Sequence, residues 1–191
     1  MKTLSAILIL IMATMLVIWG TGCQMAGPTE SIAPGSDYVP QLIKLPGPKS
    51  LHKVIPVSQR ITADSGGVLK LQYDNGSSLY HFAIDASLTF MPHAVNSDVT
   101  VTMSLDDSLV LLNFEPSMTF NIPAQLNVQA TGLDLSGFAA SSGFNLYWHD
   151  PITGAWVAMP AQAIVVTPTV SGTLACMNGQ IPHFSVYAFG R

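Results

Sequence analysis

The sequence predicts an all-β fold, an antiparallel β-sandwich over residues 61–191, and three observations carry that reading. Val99-Thr100-Val101-Thr102-Met103-Ser104-Leu105 alternates strictly, which places Val99, Val101, Met103 and Leu105 on one face of a strand. Short runs rich in valine, isoleucine and aromatic residues recur, separated by turn residues such as Asp74-Asn75-Gly76 and Pro151-Ile152-Thr153-Gly154. No helical periodicity persists beyond Trp19; Leu133–Ala140 allows at most one short helical turn.

The chain opens with Lys2, an apolar run from Leu4 to Trp19, and then Gly20-Thr21-Gly22-Cys23. A positive head, a greasy centre and small residues at a cut site make an export signal. The run is shorter than the roughly 20 residues a spanning helix needs, which disfavours an uncleaved anchor. With Cys23 directly after the small residues, the segment resembles the lipobox of bacterial lipoproteins, although Gly20 stands where that motif usually has Leu. The resemblance implies that residues 1–22 are removed, that Cys23 carries palmitate-type acyl chains on its sulfur, and that Cys23 becomes the new N-terminus. It also implies a lipid-anchored protein of the cell envelope. Gln24 is not the Asp that marks inner-membrane retention, so the outer membrane is expected in a host with two membranes. An ordinary secretory signal with an incidental Cys23 is the alternative.

Residues 23–60 read as the lipidated cysteine and a tether. Pro28, Pro34, Pro40, Pro46, Pro48 and Pro56, with Gly27, Gly35 and Gly47, interrupt any helix or long strand. As a flexible coil such a stretch spans roughly 35 Å. Its apolar pairs Leu42-Ile43 and Val54-Ile55 are able to pack on the domain, which leaves the boundary near Arg60 soft.

From Ile61 the strands follow in order. Val68–Tyr73 is β-rich, and Asp74-Asn75-Gly76 signals a tight hairpin that returns at Leu79–Ile84. Val99–Leu105 turns through Asp106-Asp107 into Leu109–Phe114. Leu126–Gln129, Phe144–His149, Ala155–Met159, Ala163–Val166, Val170–Cys176 and Ser185–Phe189 complete the set. Pro116 and Pro123 lack an N–H and belong at strand ends or edges. Met118 and Phe120 share a face that enters the core, and Trp148 and Trp156 anchor two strands around a tight turn.

Charge narrows the function. Only 9% of residues are charged, and no Lys or Arg occurs from Leu71 to Gly190, where eight of the carboxylates lie: Asp74, Asp85, Asp98, Asp106, Asp107, Glu115, Asp134 and Asp150. Such a domain has no side-chain cation to neutralise phosphate, which excludes nucleic acid as an expected partner. Lys44, Lys49, Lys53, Arg60 and Lys70 sit in and just beyond the tether. If Cys23 is acylated, Cys176 has no disulfide partner; among apolar neighbours and without a basic one, it reads as a small buried hydrophobe.

Ser65-Gly66-Gly67-Val68 opens a strand, and Phe114-Glu115-Pro116-Ser117-Met118-Thr119-Phe120-Asn121-Ile122-Pro123-Ala124-Gln125-Leu126 follows. Asn145–Asp150, then Thr153-Gly154-Ala155-Trp156, and finally His183-Phe184-Ser185-Val186-Tyr187 come in the same order as the motifs of one family. Together they resemble the ZU-five domain shared by zonula occludens scaffolds, ankyrins and netrin receptors. The resemblance covers residues 61–191 and implies a β-sandwich used as an interaction or spacer module. The family's basic residues are missing, so its eukaryotic partners do not carry over.

In some proteins of that family a His-Phe-Ser site cleaves its own backbone. Here the resemblance implies attack of the Ser185 hydroxyl on the Phe184 carbonyl with His183 as base, set against an ordinary last strand in which Phe184 and Val186 alternate and nothing is cut. The chain has no Gly-x-Ser-x-Gly elbow. His52, His81, His93, His149 and His183 show no paired metal spacing. Asp106-Asp107 and Asp74-Asn75 suit calcium, but Asp at turns serves turn geometry more often. No cofactor or metal is expected. The expected function is a non-catalytic, lipid-anchored envelope protein whose sandwich contacts another envelope protein or a surface polymer. A self-cleaving module and a small-ligand binder are the alternatives.

Overall fold

The computed structural model describes residues 39–48, 54–106, 108–138, 143–167 and 169–191, which belong to one compact unit. The expected signal peptide, Cys23 and most of the tether lie outside the described residues. The described chain forms β1 (Val57–Ile61), β2 (Gly67–Asp74), β3 (Ala83–Phe90), β4 (Val99–Leu105), β5 (Leu111–Glu115), β6 (Thr119–Leu133), β7 (Asn145–His149), β8 (Trp156–Met159), β9 (Ala163–Thr167), β10 (Gly172–His183) and β11 (Val186–Gly190). They make two antiparallel sheets, ordered β1-β4-β5-β11-β7-β8 and β2-β3-β6-β10-β9. The inner faces close on one core, so the fold is the expected β-sandwich.

β4 runs from Val99 to Leu105 as the alternation predicts, with Val101, Met103 and Leu105 buried. β6 and β10 are longer than the expected Leu126–Gln129 and Val170–Cys176. Polar residues hid their ends: a strand whose outer face meets water accepts Thr, Gln and Asn there. Pro123 lies inside β6 rather than at its end. Pairing with β3 runs only between Ala83↔Thr131 and Thr89↔Gln125, and the β10 register shifts between Ile181↔Ala124 and His183↔Thr119. The missing N–H therefore falls where the ladder is already interrupted.

The expected tight turn at Asn75-Gly76 is instead a loop over residues 75–82, with Asp74↔Ala83 as the last pair. Asn75 organises it. Its side-chain oxygen accepts from Ser77 N (3.2 Å) and Phe82 N (3.1 Å), and its amide donates to the Tyr80 carbonyl. Side-chain capping thus outcompetes a two-residue turn. Among the described residues, the stretch after β6 makes a turn at Ser136–Phe138 and no helix.

The stretch 41–45, within the expected tether, is part of the folded unit. Leu42 bridges Gly190, Lys44 bridges Leu109, and Ile43 and Leu45 are buried in the core. Ile43 N donates to Phe189 O and Ile43 O accepts from Val110 N, both at 2.9 Å. β1 begins at Val57, three residues before the soft boundary at Arg60, and pairs with β4.

Strand pairing gives the sandwich two ends. At one, here the leader end, lie Gln41, Arg191, the turn from β4 to β5, the 75–82 loop and the β9–β10 turn. At the opposite end lie the β5–β6 connection, the β7–β8 turn and the crossing from β10 to β11.

Candidate functional site

His183-Phe184-Ser185 is not within one strand. His183 ends β10 in one sheet and Val186 starts β11 in the other, so Phe184-Ser185 is the step between sheets. The physical reason is Phe184: its ring is buried among Phe120 (4.7 Å), Phe114 (5.8 Å, stacked) and Phe90 (5.9 Å). Phe184 N donates to Met118 O at 2.8 Å, and Ser185 O accepts from Phe114 N at 3.0 Å. The peptide is therefore fixed on both sides by neighbouring backbone.

The candidate nucleophile and base are not joined. Ser185 Oγ donates to the His149 carbonyl at 3.3 Å. The Tyr187 hydroxyl donates to the His183 carbonyl at 2.8 Å and lies 3.2 Å from His183 Nδ1. Because that hydroxyl has one proton, the arrangement sets Nδ1 as a donor toward it. No hydrogen bond links His183 to Ser185 among the described residues. Desolvation lowers the His183 pKa below its usual 6.5, opposed in part by its own backbone hydrogen bond and by Asp150. Burial pushes the Tyr187 phenol upward, so it stays protonated.

Around this step opens a cleft of about 1070 Å³. One wall is β5 and the connection Glu115-Pro116-Ser117-Met118; the other is Trp148 with Pro151 and Ile152; His183–Val186 lie between them, and Thr100 and Thr102 of β4 border it. Glu115 is the single carboxylate in the lining, which contains no Lys or Arg. The Trp148 ring meets His183 edge-on at 4.5 Å, and its buried indole N–H has no hydrogen-bond partner among the described residues. Trp148 and Trp156 do not share a face: Trp156 pairs with His149, their rings 4.8 Å apart, and Trp148 pairs with Val157.

The rim is rigidly built. Asp150 accepts from Ile152 N (2.9 Å) and the Thr153 hydroxyl (2.6 Å), while its carbonyl accepts from Gly154 N at 2.8 Å. Gly154 has φ +72, which favours glycine. The hydroxyl of Thr153, then the Ile152 amide, holds the Asp150 carboxyl below its ordinary range. Ile152 itself is 92% exposed at the tip. Sequence reasoning placed His183 and Trp148 separately; cross-strand pairing Trp148↔Tyr187 is what brings them together.

Asp106 and Asp74 make turn hydrogen bonds. Asp106 Oδ1 accepts from Ser108 N (2.7 Å), Ser108 Oγ (2.7 Å) and Leu109 N (3.0 Å). Asp74 Oδ1 accepts from Gly76 N at 2.8 Å and lies 3.0 Å from His81 Nε2. Asp107 and His52 lie outside the described residues, among which no cluster of three metal-ligating side chains occurs. Cys176 is a buried free thiol whose pKa desolvation raises to about 11, the state of an inert core residue. No known protein family matches this chain, and neither a curated protein nor a solved structure matches it.

Proposed function

We propose that this chain is a non-catalytic, lipid-anchored protein of the bacterial cell envelope that offers the cleft of its β-sandwich to a partner. The observation that carries the reading is the opposition of the two ends. The leader from Cys23 joins at Gln41, beside Arg191, while the cleft opens around His183–Val186 at the other end. A tether at one end and a cleft at the other suit a module that reaches outward from a membrane. The lining offers hydroxyls and amides from Thr100, Thr102, Asn113 and Ser117 together with the Trp148 ring and almost no charge. Such a surface selects by shape, hydrogen bonds and apolar contact rather than by steering. The cleft is broad and open rather than enclosed, which suits an envelope protein segment or a surface polymer.

Self-cleavage at Phe184-Ser185 is the weaker reading, because Ser185 Oγ is turned toward His149 O and His183 Nδ1 toward Tyr187. A photo-crosslinking residue at Ile152 in intact cells tests the proposal. It should capture a discrete adduct that the same residue at Gln72, on the outer face of β2, does not. Equal capture from both positions contradicts a binding role for the cleft.

A further inference from the structure

We infer that the leader end of the sandwich is a membrane-facing surface, with Leu79 and Tyr80 at the tip of the 75–82 loop resting in the interface of the bilayer that holds Cys23. The inference rests on the lipid-anchoring reading and adds an orientation to it.

The first support is where apolar side chains are exposed. Leu79 is 78%, Val39 75% and Val170 74% exposed, and Tyr80 is partly so. All four lie on the leader end: Val39 just before Gln41, Leu79 and Tyr80 between β2 and β3, and Val170 between β9 and β10; Ile152, the most exposed apolar side chain, lies at the opposite end on the rim of the cleft assigned to a partner. A tyrosine beside leucine matches an interfacial contact, where the ring lies among lipid and the hydroxyl stays wet.

The loop is also built to present them. Ser77 Oγ accepts from Leu79 N (3.3 Å) and Tyr80 N (3.1 Å), and Asn75 ties the loop to Phe82 N. A side-chain carbon at Gly47 would sit 2.8 Å from the Tyr80 ring, so the loop is braced against the leader segment itself. The Tyr80 ring thus lies against Gly47, and Leu79 is exposed at the tip. The nearby Asp74 carboxylate is exposed and lies 3.0 Å from the exposed His81 Nε2.

Reach supplies the third support. With Gln41 docked, fifteen residues, 24–38, separate Cys23 from Val39; a flexible chain of that length would have an end-to-end distance of about 20 Å. The twelve residues of β10 run the length of the sandwich, roughly 40 Å at about 3.3 Å each. A tether of that length would favour the leader end, rather than the cleft, at the bilayer surface. Tethering turns a weak apolar contact into a populated one, because the local concentration of lipid is high.

The test uses the full chain recovered from membranes and reconstituted in phosphatidylcholine vesicles containing a doxyl-labelled lipid quencher. Leu79→Cys and Ile152→Cys are each labelled with an environment-sensitive fluorophore; Cys176 is buried and stays unlabelled. Lipid quenching at position 79 should exceed that at 152 by at least twofold, with the reverse order for aqueous iodide. Equal quenching at both positions overturns the orientation. A probe at 79 shielded from both quenchers, with or without vesicles, overturns it in favour of a protein contact such as a second copy. Palmitate-analogue labelling of the same sample separates the readings: unlabelled protein ends the anchor and the orientation together, whereas labelled protein with equal quenching ends the orientation alone.

Discussion

Gln41 and Arg191 exchange both of their backbone hydrogen bonds, Gln41 N to Arg191 O at 2.9 Å and Arg191 N to Gln41 O at 3.1 Å. The start and the end of the described unit are thus stitched together, and Ile43 follows into the core. Truncating Ile43 to Ala should cost about 2–5 kcal/mol, since it removes a fully buried side chain. Gln41→Ala should cost little, because its bonds are made by backbone. Urea unfolding checks both; a change below about 0.5 kcal/mol for Ile43→Ala would return residues 41–45 to the tether.

The Phe184-Ser185 step predicts a split between stability and cleavage. Phe184→Ala should destabilise by about 3–5 kcal/mol through the lost aromatic contacts. Ser185→Ala loses only a 3.3 Å bond to His149 O and should unfold within about 1.5 kcal/mol of the parent. Differential scanning calorimetry orders the two variants, and the reverse order contradicts the packing role given to Phe184.

His183 makes stability depend on mildly acidic pH. Desolvation depresses its pKa from 6.5, so between the depressed value and 6.5 the unfolded chain binds more protons than the folded one. Its contribution is complete above pH 6.5 and is lost as pH falls through the folded value. Asp74, Asp98, Asp134 and Asp150 are held below 3.8 by hydrogen bonds, and their contribution is lost only below that pH. Urea midpoints at pH 7.5 and 5.0 should differ less for His183→Gln than for the parent; an unchanged difference removes His183 as the source.

Two glycines at positive φ, Gly132 in β6 and Gly76 in the 75–82 loop, should respond unequally. Gly132 has φ +76, and a Cβ there would collide with the His81 carbonyl, whereas Gly76, at φ +60, has open space around it. Gly132→Ala should therefore lower the thermal midpoint clearly more than Gly76→Ala, which carries only the backbone strain. Equal shifts in thermal melts would contradict the close approach of His81 to β6.

How much of this was legible in the sequence depended on which force set the feature. Val99–Leu105 and the hairpin of Trp148 and Trp156 were readable because alternation and turn residues are local. The ends of β6 and β10 were not, since Thr119, Gln125 and Gln180 owe their strand conformation to neighbours in the ladder. Ile43 was hidden by the prolines around it: its burial depends on Phe189 and Val110, which lie far along the chain. The His183-Phe184-Ser185 motif was visible, but its environment was not. Only the pairing of β11 with β7 places Trp148 beside Tyr187 and His149 behind Ser185.

Intact-mass spectrometry of the protein extracted from the envelope membranes of its host cells tests the central claim most directly. The account predicts one polypeptide that starts at an acylated Cys23 and continues unbroken through Phe184-Ser185 to Arg191. An unacylated N-terminus would contradict the lipid anchor, and a species ending at Phe184 with a separate Ser185–Arg191 peptide would contradict the non-catalytic reading.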